Sequence, residues 1–376
     1  MTPLSRKLKV LTVVGTRPDV IKLAPVVREI AGRTAFEQRL VLTAQHRHLA
    51  AEPLALFGLQ PDRDLDLMEA EQTLGGLGSR LLQGMESLLV EEHPDLVLVQ
   101  GDTSTALLAA LASHYHGVPV GHVEAGLRTH RRDQPFPEEM NRRLLADLSS
   151  FHFAPTARAR ENLLAEGIAE TRIYVTGNTI VDALQFLLES GRAVSPIEVP
   201  DGVRLAVLTC HRREIFGEPM RRVLEAVGRL AERPDLLVVF PVHPNPSVQR
   251  VAREVLAGRE RVRLLEPLSY DRFIGLLARA DLVLSDSGGV QEEAPSLGVP
   301  VVVLRETTER QEGIDAGCAV LAGTQPDRIV AAATRLLEEP RIGSTARPNP
   351  YGDGKAATRI ADILEFHSGA FVHAGK

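Results

Sequence analysis

Ser285-Asp286-Ser287-Gly288-Gly289-Val290-Gln291-Glu292-Glu293-Ala294 follows an apolar run, 281–284, and leads toward Gly298 and Pro300. The apolar run predicts a strand. Residues 291–297 predict the first turns of a helix, stopped at Gly298 before Pro300. A strand that turns through two glycines into a helix sets bare backbone N–H groups at the helix start, where the positive end of the helix dipole favours an anion such as phosphate. Glu292 and Glu293 fall in the first turn, where acids complement the dipole, and a carboxylate there can accept hydrogen bonds from sugar hydroxyls. An ordinary strand-to-helix turn reads the same way, so this stretch alone leaves phosphate binding open.

The same strand–turn–helix unit recurs along the chain, which signals an α/β protein with parallel sheets. Around the opening stretch, the predicted strand 204–209 runs into Cys210-His211-Arg212-Arg213-Glu214. Strand 236–242 runs into His243-Pro244-Asn245-Pro246, and strand 262–265 precedes Tyr270-Asp271-Arg272-Phe273. Strand 299–304 leads to Arg305-Glu306-Thr307-Thr308-Glu309-Arg310. Upstream, residues 191–202 are polar with Pro196 and Pro200, and read as a linker between domains. The expected division is 1–190, joined by a last helix at about 356–376, and 203–355.

The first half repeats the pattern. Strand 9–14 ends in Gly15-Thr16-Arg17-Pro18, with Pro18 suited to a helix start. Ligands of open α/β sheets bind beyond the carboxyl ends of strands, so Arg17 and Lys22 are placed for a phosphate, or are ordinary surface cations. Strand 39–44 runs into Gln45-His46-Arg47-His48. Leu74, Leu77, Leu81, Met85 and Leu88 mark one face of a long helix. Strand 95–100 ends in Gly101-Asp102-Thr103, strand 118–123 ends in Glu124, and a helix begins near Pro137-Glu138-Glu139. Strands are also expected at 151–154 and 172–176. One acid at a strand end or helix start is usually a cap. Asp102, Glu124 and Glu138 on one rim are harder to assign to capping.

The chain has 376 residues, 44% hydrophobic and 24% charged, with a net charge of −6. That length favours two domains. The composition is that of a soluble globular protein, and the charge argues against a general nucleic-acid binder. No apolar run approaches a membrane span, and no signal-type apolar region opens the chain, so a cytoplasmic enzyme without membrane contact is expected. Cys210 and Cys318 form neither a disulfide framework nor a metal cluster, and no cofactor or metal is expected.

Taken in order, the motifs resemble one family. They are Gly-Thr-Arg-Pro (15–18), Gln-His-Arg (45–47), Gly-Asp-Thr (101–103), His-Val-Glu-Ala-Gly-Leu-Arg (122–128) and Pro-Glu-Glu-Met-Asn-Arg (137–142). His-Arg-Arg-Glu (211–214), Asp-Ser-Gly-Gly-Val-Gln-Glu-Glu (286–293), Thr-Thr-Glu-Arg (307–310) and the Asn-Pro-Tyr-Gly-Asp-Gly knuckle (349–354) follow. The ordered set is similar to the non-hydrolysing UDP-N-acetylglucosamine 2-epimerases of bacteria. The resemblance implies two Rossmann-like domains facing across a cleft, the GT-B-type fold, with a final helix crossing back to the first domain. It also implies a homodimer that interconverts UDP-GlcNAc and UDP-ManNAc for cell-surface polysaccharide. Carried over by position, Asp102, Glu124, Glu138 and His211 would be catalytic. Arg17, Ser287, Gly288, Glu293 and Arg310 would hold the nucleotide, with Gly289 and Lys22 beside them and Phe273 near the uracil. Gln45, His46, Arg212 and His243 would serve a second, regulatory UDP-GlcNAc site. Cys210, His48 and the charged loop His130-Arg131-Arg132-Asp133 depart from the family pattern and bear on the strength of regulation.

The implied chemistry explains the residue types. The proton on carbon-2 of an N-acetylhexosamine is not acidified by a neighbouring ketone. Expelling UDP from carbon-1 with that proton gives a neutral glycal, to which UDP returns after protonation on the other face. Such a route needs a carboxylate base, an acid for the opposite face and cations on the diphosphate. A hydrolysing epimerase, a GT-B glycosyltransferase and a nucleotide-sugar sensor remain as alternatives at this level.

Overall fold

The computed structural model describes residues 6–43, 47–67, 73–212, 215–339 and 349–371. The chain divides into two units, Met1–Ala183 with Tyr351–Lys376, and Leu184–Pro350.

The first unit is built on seven strands among the described residues. They are β1 (Leu8–Val14), β2 (Phe36–Leu42), β3 (Arg63–Asp64), β4 (Leu96–Gln100), β5 (Val120–Val123), β6 (Phe151–Ala154) and β7 (Ile173–Val175). Their order is β3-β2-β1-β4-β5-β6-β7, with every neighbouring pair parallel. β4 is buried along its whole length, as a parallel strand covered on both faces must be. One face carries the core around Val10, Leu23, Ile30 and Leu98, the other the core around Leu11, Met85, Val97 and Ala109.

The second unit holds β8 (Arg204–Thr209), β9 (Leu236–Pro241), β10 (Val262–Leu265), β11 (Leu282–Ser285), β12 (Val301–Val303) and β13 (Ala319–Leu321). The order is β10-β9-β8-β11-β12-β13, again all parallel. Both sheets therefore wind outward from their first strand in opposite directions, the Rossmann-like pattern anticipated from the alternation of elements. Each has a switch point, between β1 and β4 and between β8 and β11, where the loops after adjacent strands diverge and leave a crevice.

Several boundaries moved. The strand expected at 39–44 is Phe36–Leu42, because it starts in register with Leu8 opposite Phe36. β3 and β13 were not anticipated, being edge strands of two and three residues, too short for a periodic signal. In the helix Leu74–Glu92, Leu77, Leu81, Met85 and Leu88 are buried, but Leu74 is 52% exposed. Helical side chains lean toward the N-terminus, so the first one projects past the packed layer.

The helix Ala356–Phe366 buries Ala357, Ile360, Ala361 and Leu364 in the core of the first unit. Its start is fixed by Asp182, which accepts from the N–H groups of Ala356 and Ala357 at 3.2 and 2.8 Å. Part of the stretch read as the linker between domains lies against the second unit's helix Tyr270–Arg279. At Gly275, in the helix Tyr270–Arg279, a Cβ would stand 2.6 Å from the backbone nitrogens of Val194 and Ser195.

Candidate active site

In the first unit the groups of interest gather after β1, β4 and β5. Gly15 ends the turn after β1, against Thr105 and Thr43. A Cβ there would lie 2.8 Å from Cβ of Thr105, so only glycine fits. Asp19 accepts from the N–H groups of Gly15 and Thr16 at 3.1 and 3.0 Å, which fixes the turn. Burial pushes its carboxyl up to about 6, with the Asp102 charge adding to the effect. Arg17, the first residue of the helix Arg17–Ala31, keeps its side chain partly exposed, with Nη2 3.8 Å from Glu52.

Lys22 is not the ordinary surface cation that was one of its two readings. It lies one turn into that helix on the inner face, and its side chain is 8% exposed. Its Nζ is 2.6 Å from Oε1 of Glu124. A buried ammonium requires a counter-charge, and Glu124 supplies it. The other oxygen, Oε2 of Glu124, accepts from Nε2 of Gln100. Glu124 has a positive φ of 65°, a costly conformation for a non-glycine residue, and is 8% exposed. The carboxylate is aimed by its backbone and held by both oxygens.

Asp102 follows Gly101 in the turn after β4. Its Oδ2 lies 2.6 Å from Nη2 of Arg142, and its carbonyl accepts from Asn141 at 2.8 Å. Both partners come from the helix Glu138–Leu148. Adjacent Glu138 and Glu139 separate in role there. Glu139 is fully buried and accepts from the N–H groups of Thr129 and His130 and from Arg142, at 3.0, 3.1 and 3.0 Å. Glu139 therefore ties the 129–131 loop to the helix. Glu138 is half-buried at the helix start, one turn ahead of Arg142. Asp102 and Glu124 thus follow neighbouring strands, the first held by Arg142 and Asn141 and the second by Lys22 and Gln100, and Glu138 opens the helix that supplies Arg142 and Asn141.

His122 and His152 pair across β5 and β6 beneath this rim, both essentially sealed from solvent. Nε2 of His122 donates to the carbonyl of Gly101 at 2.7 Å. Neither ring nitrogen of His152 makes a hydrogen bond of ordinary geometry. Burial lowers the two imidazoles to about 4 and about 3, and both stay neutral.

In the second unit the corresponding cluster lies after β8 and β11. Asp286 is fully buried. Its Oδ2 accepts from the N–H groups of His211 and Arg212 at 2.7 and 2.8 Å, and its Oδ1 lies 3.4 Å from Nδ1 of His211. The His211 ring, 39% exposed, stacks on His243 with centroids 5.6 Å apart. Nδ1 of His243 accepts from Asn245 N, and burial lowers this imidazole, helped by neighbouring His211. Cys210 is core: its thiol is pushed well above its ordinary value by burial, and by the charge of Asp286.

The opening stretch forms the helix Gly288–Ser296, so both glycines lie inside its first turn rather than before it. Ser287 is the N-cap by backbone and makes no side-chain cap. A Cβ on Gly288 would stand 2.7 Å from Nη1 of Arg310. That arginine is not an extended ligand arm. Its Nε donates to Glu292 at 2.9 Å and its Nη1 to Glu309, whose other oxygen accepts from Arg305 at 3.0 Å. Thr308 also donates to Gln291 at 2.7 Å. The 305–310 loop is thereby locked under the glycine turn, with Arg310 7% exposed. Glu293, proposed for sugar hydroxyls, accepts from the Tyr270 hydroxyl at 2.9 Å. Phe273 is half-buried in the same helix as Tyr270, while Arg212 is half-buried and His243 exposed. Gln45 and His46 lie outside the described residues. Sequence reasoning missed Gln100, Asn141, Arg142, Tyr270 and Asp286, of which all but Gln100 already stood inside quoted stretches.

Among the described residues no group of three or more His, Cys, Asp or Glu side chains is arranged for a metal ion, and no helix is long and apolar enough to cross a membrane. Residues 28–365 match the family model described as UDP-N-acetylglucosamine 2-epimerase. The chain is 46% identical over 372 residues to the UDP-N-acetylglucosamine 2-epimerase of Yersinia pestis, covering 96% of this chain and 99% of that one. It is 45% identical over 367 residues to that of Bacillus subtilis strain 168, covering 97% of each. The crystal structure of the Neisseria meningitidis UDP-GlcNAc 2-epimerase bound to UDP-GlcNAc superimposes with a TM-score of 0.89 at 40% identity, covering 95% of this chain and 99% of that one. Ordered motifs, two Rossmann-like sheets and near-complete coverage agree, and the chain belongs to the UDP-N-acetylglucosamine 2-epimerase family.

Proposed function

We propose that the protein interconverts UDP-GlcNAc and UDP-ManNAc without net hydrolysis. The observation that carries this reading is the acid rim of the first unit, where Asp102 and Glu124 each face a cation, Arg142 and Lys22. An opposite charge within hydrogen-bond range favours the ionised carboxylate, and an ionised carboxylate is what proton removal from carbon-2 needs. In the proposed step a carboxylate takes that proton. The C–H electron pair becomes the carbon-1–carbon-2 double bond, and the carbon-1–oxygen pair leaves with UDP. The product is neutral 2-acetamidoglucal. Protonation of carbon-2 on its other face, with return of the UDP oxygen to carbon-1, gives the epimer. Glu138 and its neighbours are the candidates for the second proton.

The second unit is assigned the nucleotide. The first turn of the helix at Ser287, Gly288 and Gly289 offers N–H donors to phosphate, and Arg310 keeps that turn in place. Arg17 is assigned to the diphosphate, Glu293 to the ribose and Phe273 to the uracil. His211 would donate to the leaving diphosphate, oriented by Asp286. Gln45, His46, Arg212 and His243 are assigned a second UDP-GlcNAc that activates the enzyme. We further propose a cytoplasmic homodimer that supplies polysaccharide precursors, for which sedimentation at assay concentration tests the dimer.

The test is NMR of UDP-GlcNAc incubated with the protein in deuterated water. UDP-ManNAc carrying deuterium at carbon-2 is the expected product. Free ManNAc with stoichiometric UDP would instead identify a hydrolysing enzyme. Retention of the original proton at good turnover would rule out a solvent-exchanging base.

A further inference from the structure

Glu124 is held more completely than a charge pair alone requires. Lys22 neutralises it through Oε1 at 2.6 Å. Gln100 then donates to Oε2, and it does so as a buried residue, 4% exposed, at the last position of β4. The register sets Gln100 opposite Val123, so its side chain meets the residue that follows β5. Gly101, with φ of 68°, brings the chain within 3.8 Å of the same Oε2, measured from the Cβ it lacks. A carboxylate on a left-handed backbone needs both oxygens fixed if its orientation is to persist while substrate and product exchange.

We infer that Gln100 is a positioning residue for the reaction, fixing the Glu124 carboxylate by a neutral donor. The neutrality matters. A second cation at this position would stabilise the carboxylate so far that it became a poor proton acceptor, whereas an apolar side chain would take this donor away from Oε2. An amide supplies direction without charge. This inference rests on the reading of Glu124 as a proton-transfer group.

The experiment uses two near-isosteric variants, Gln100→Met and Gln100→Glu, with Glu124→Gln beside them, assayed for UDP-ManNAc formation from UDP-GlcNAc across pH. Gln100→Met removes the donor. Its kcat is expected to fall about tenfold to a hundredfold, the scale of a lost hydrogen bond to a charged group, with KM unchanged. The acid limb of its pH profile moves up by about one unit, because the carboxylate loses a group that favoured its charged form. Gln100→Glu sets a like charge against Glu124 and moves that limb further still. A folded Gln100→Met enzyme with an unchanged kcat and pH profile overturns the inference. If that variant does not fold, an unmoved acid limb in Gln100→Glu overturns it equally. An inactive Glu124→Gln beside a normal Gln100→Met removes only the inference, whereas a folded Glu124→Gln enzyme with normal turnover removes the reading beneath it.

Discussion

Replacing His152 with leucine should reverse the sign of the first unit's response to mild acid. Four buried groups of that unit titrate abnormally. His122 and His152 are lowered to about 4 and about 3, and Asp19 and Asp182 are raised to about 6, in each case mainly by burial. A histidine lowered in the folded state adds stability that is complete above its unfolded value of about 6.5 and is lost as pH falls through the window below it. Between about pH 7.5 and about pH 5 each histidine must charge on unfolding over some 1.5 units of that window, which costs about 2 kcal/mol apiece. The two aspartates act oppositely. Their ionised forms are disfavoured in the fold above about 6, and that cost is relieved as pH falls toward the unfolded value of about 4. Each regains about 1.4 kcal/mol at about pH 5. The balance for the unaltered unit is a loss of about 1 kcal/mol.

His152→Leu deletes one of the two histidine contributions and leaves the rest. The variant should gain about 1 kcal/mol over the same interval where the parent loses as much. At about pH 7.5 it should be no less stable than the parent, since the His152 ring nitrogens give up water without gaining ordinary hydrogen bonds. Calorimetry at the two pH values measures this, with the transition of the first unit fitted separately because a chain of two units need not melt in one step. Parallel losses in parent and variant would refute the reasoning, because His152 would then be protonated in the folded state or hydrated.

Three further outcomes are expected. Asp102→Asn, Glu124→Gln and Glu138→Gln should each lower turnover by at least about a hundredfold while UDP still binds, measured by calorimetric titration of folded variants. Glu139→Gln should act differently, lowering the melting temperature and loosening the 129–131 loop, because that carboxylate accepts from two backbone N–H groups and from Arg142; hydrogen exchange at Thr129 and His130 reports it. With pure UDP-ManNAc the reaction should start slowly and accelerate on a trace of UDP-GlcNAc, over a coupling of ~1–3 kcal/mol, and immediate full velocity would show that regulation is absent.

Much of the fold was legible because parallel sheets leave a plain mark. A strand covered on both faces is a short apolar run, and its carboxyl end carries the polar residues a site can use. Leu96–Gln100 and Leu282–Ser285 announce themselves in this way, and the helix Ala356–Phe366 begins where the last helix was expected to begin. β3 and β13 were invisible for the opposite reason. A strand of two or three residues is held by its neighbour's backbone groups and needs no pattern of its own.

The polar motifs after the strands were legible one by one, and their wiring much less so. Lys22 was read as a cation placed for a phosphate, or as an ordinary surface cation, and Arg310 was carried over as a position that holds the nucleotide. In the fold both are buried, and a buried charge must meet its opposite. Lys22 meets Glu124, 102 positions away, and Arg310 meets Glu292, 18 positions back. Neither pairing has a local period, so no window of sequence can reveal it. Gln100 is the harder case, because a glutamine closing an apolar strand reads only as the strand's end. Its meaning arises when β4 and β5 pair in parallel register and bring position 100 beside position 124. The motifs can therefore be read as separate words, but which residue steadies which acid is a property of the sheet. Substitutions at Lys22, Gln100 and Arg142 should accordingly disturb the chemistry of acids they do not adjoin in sequence.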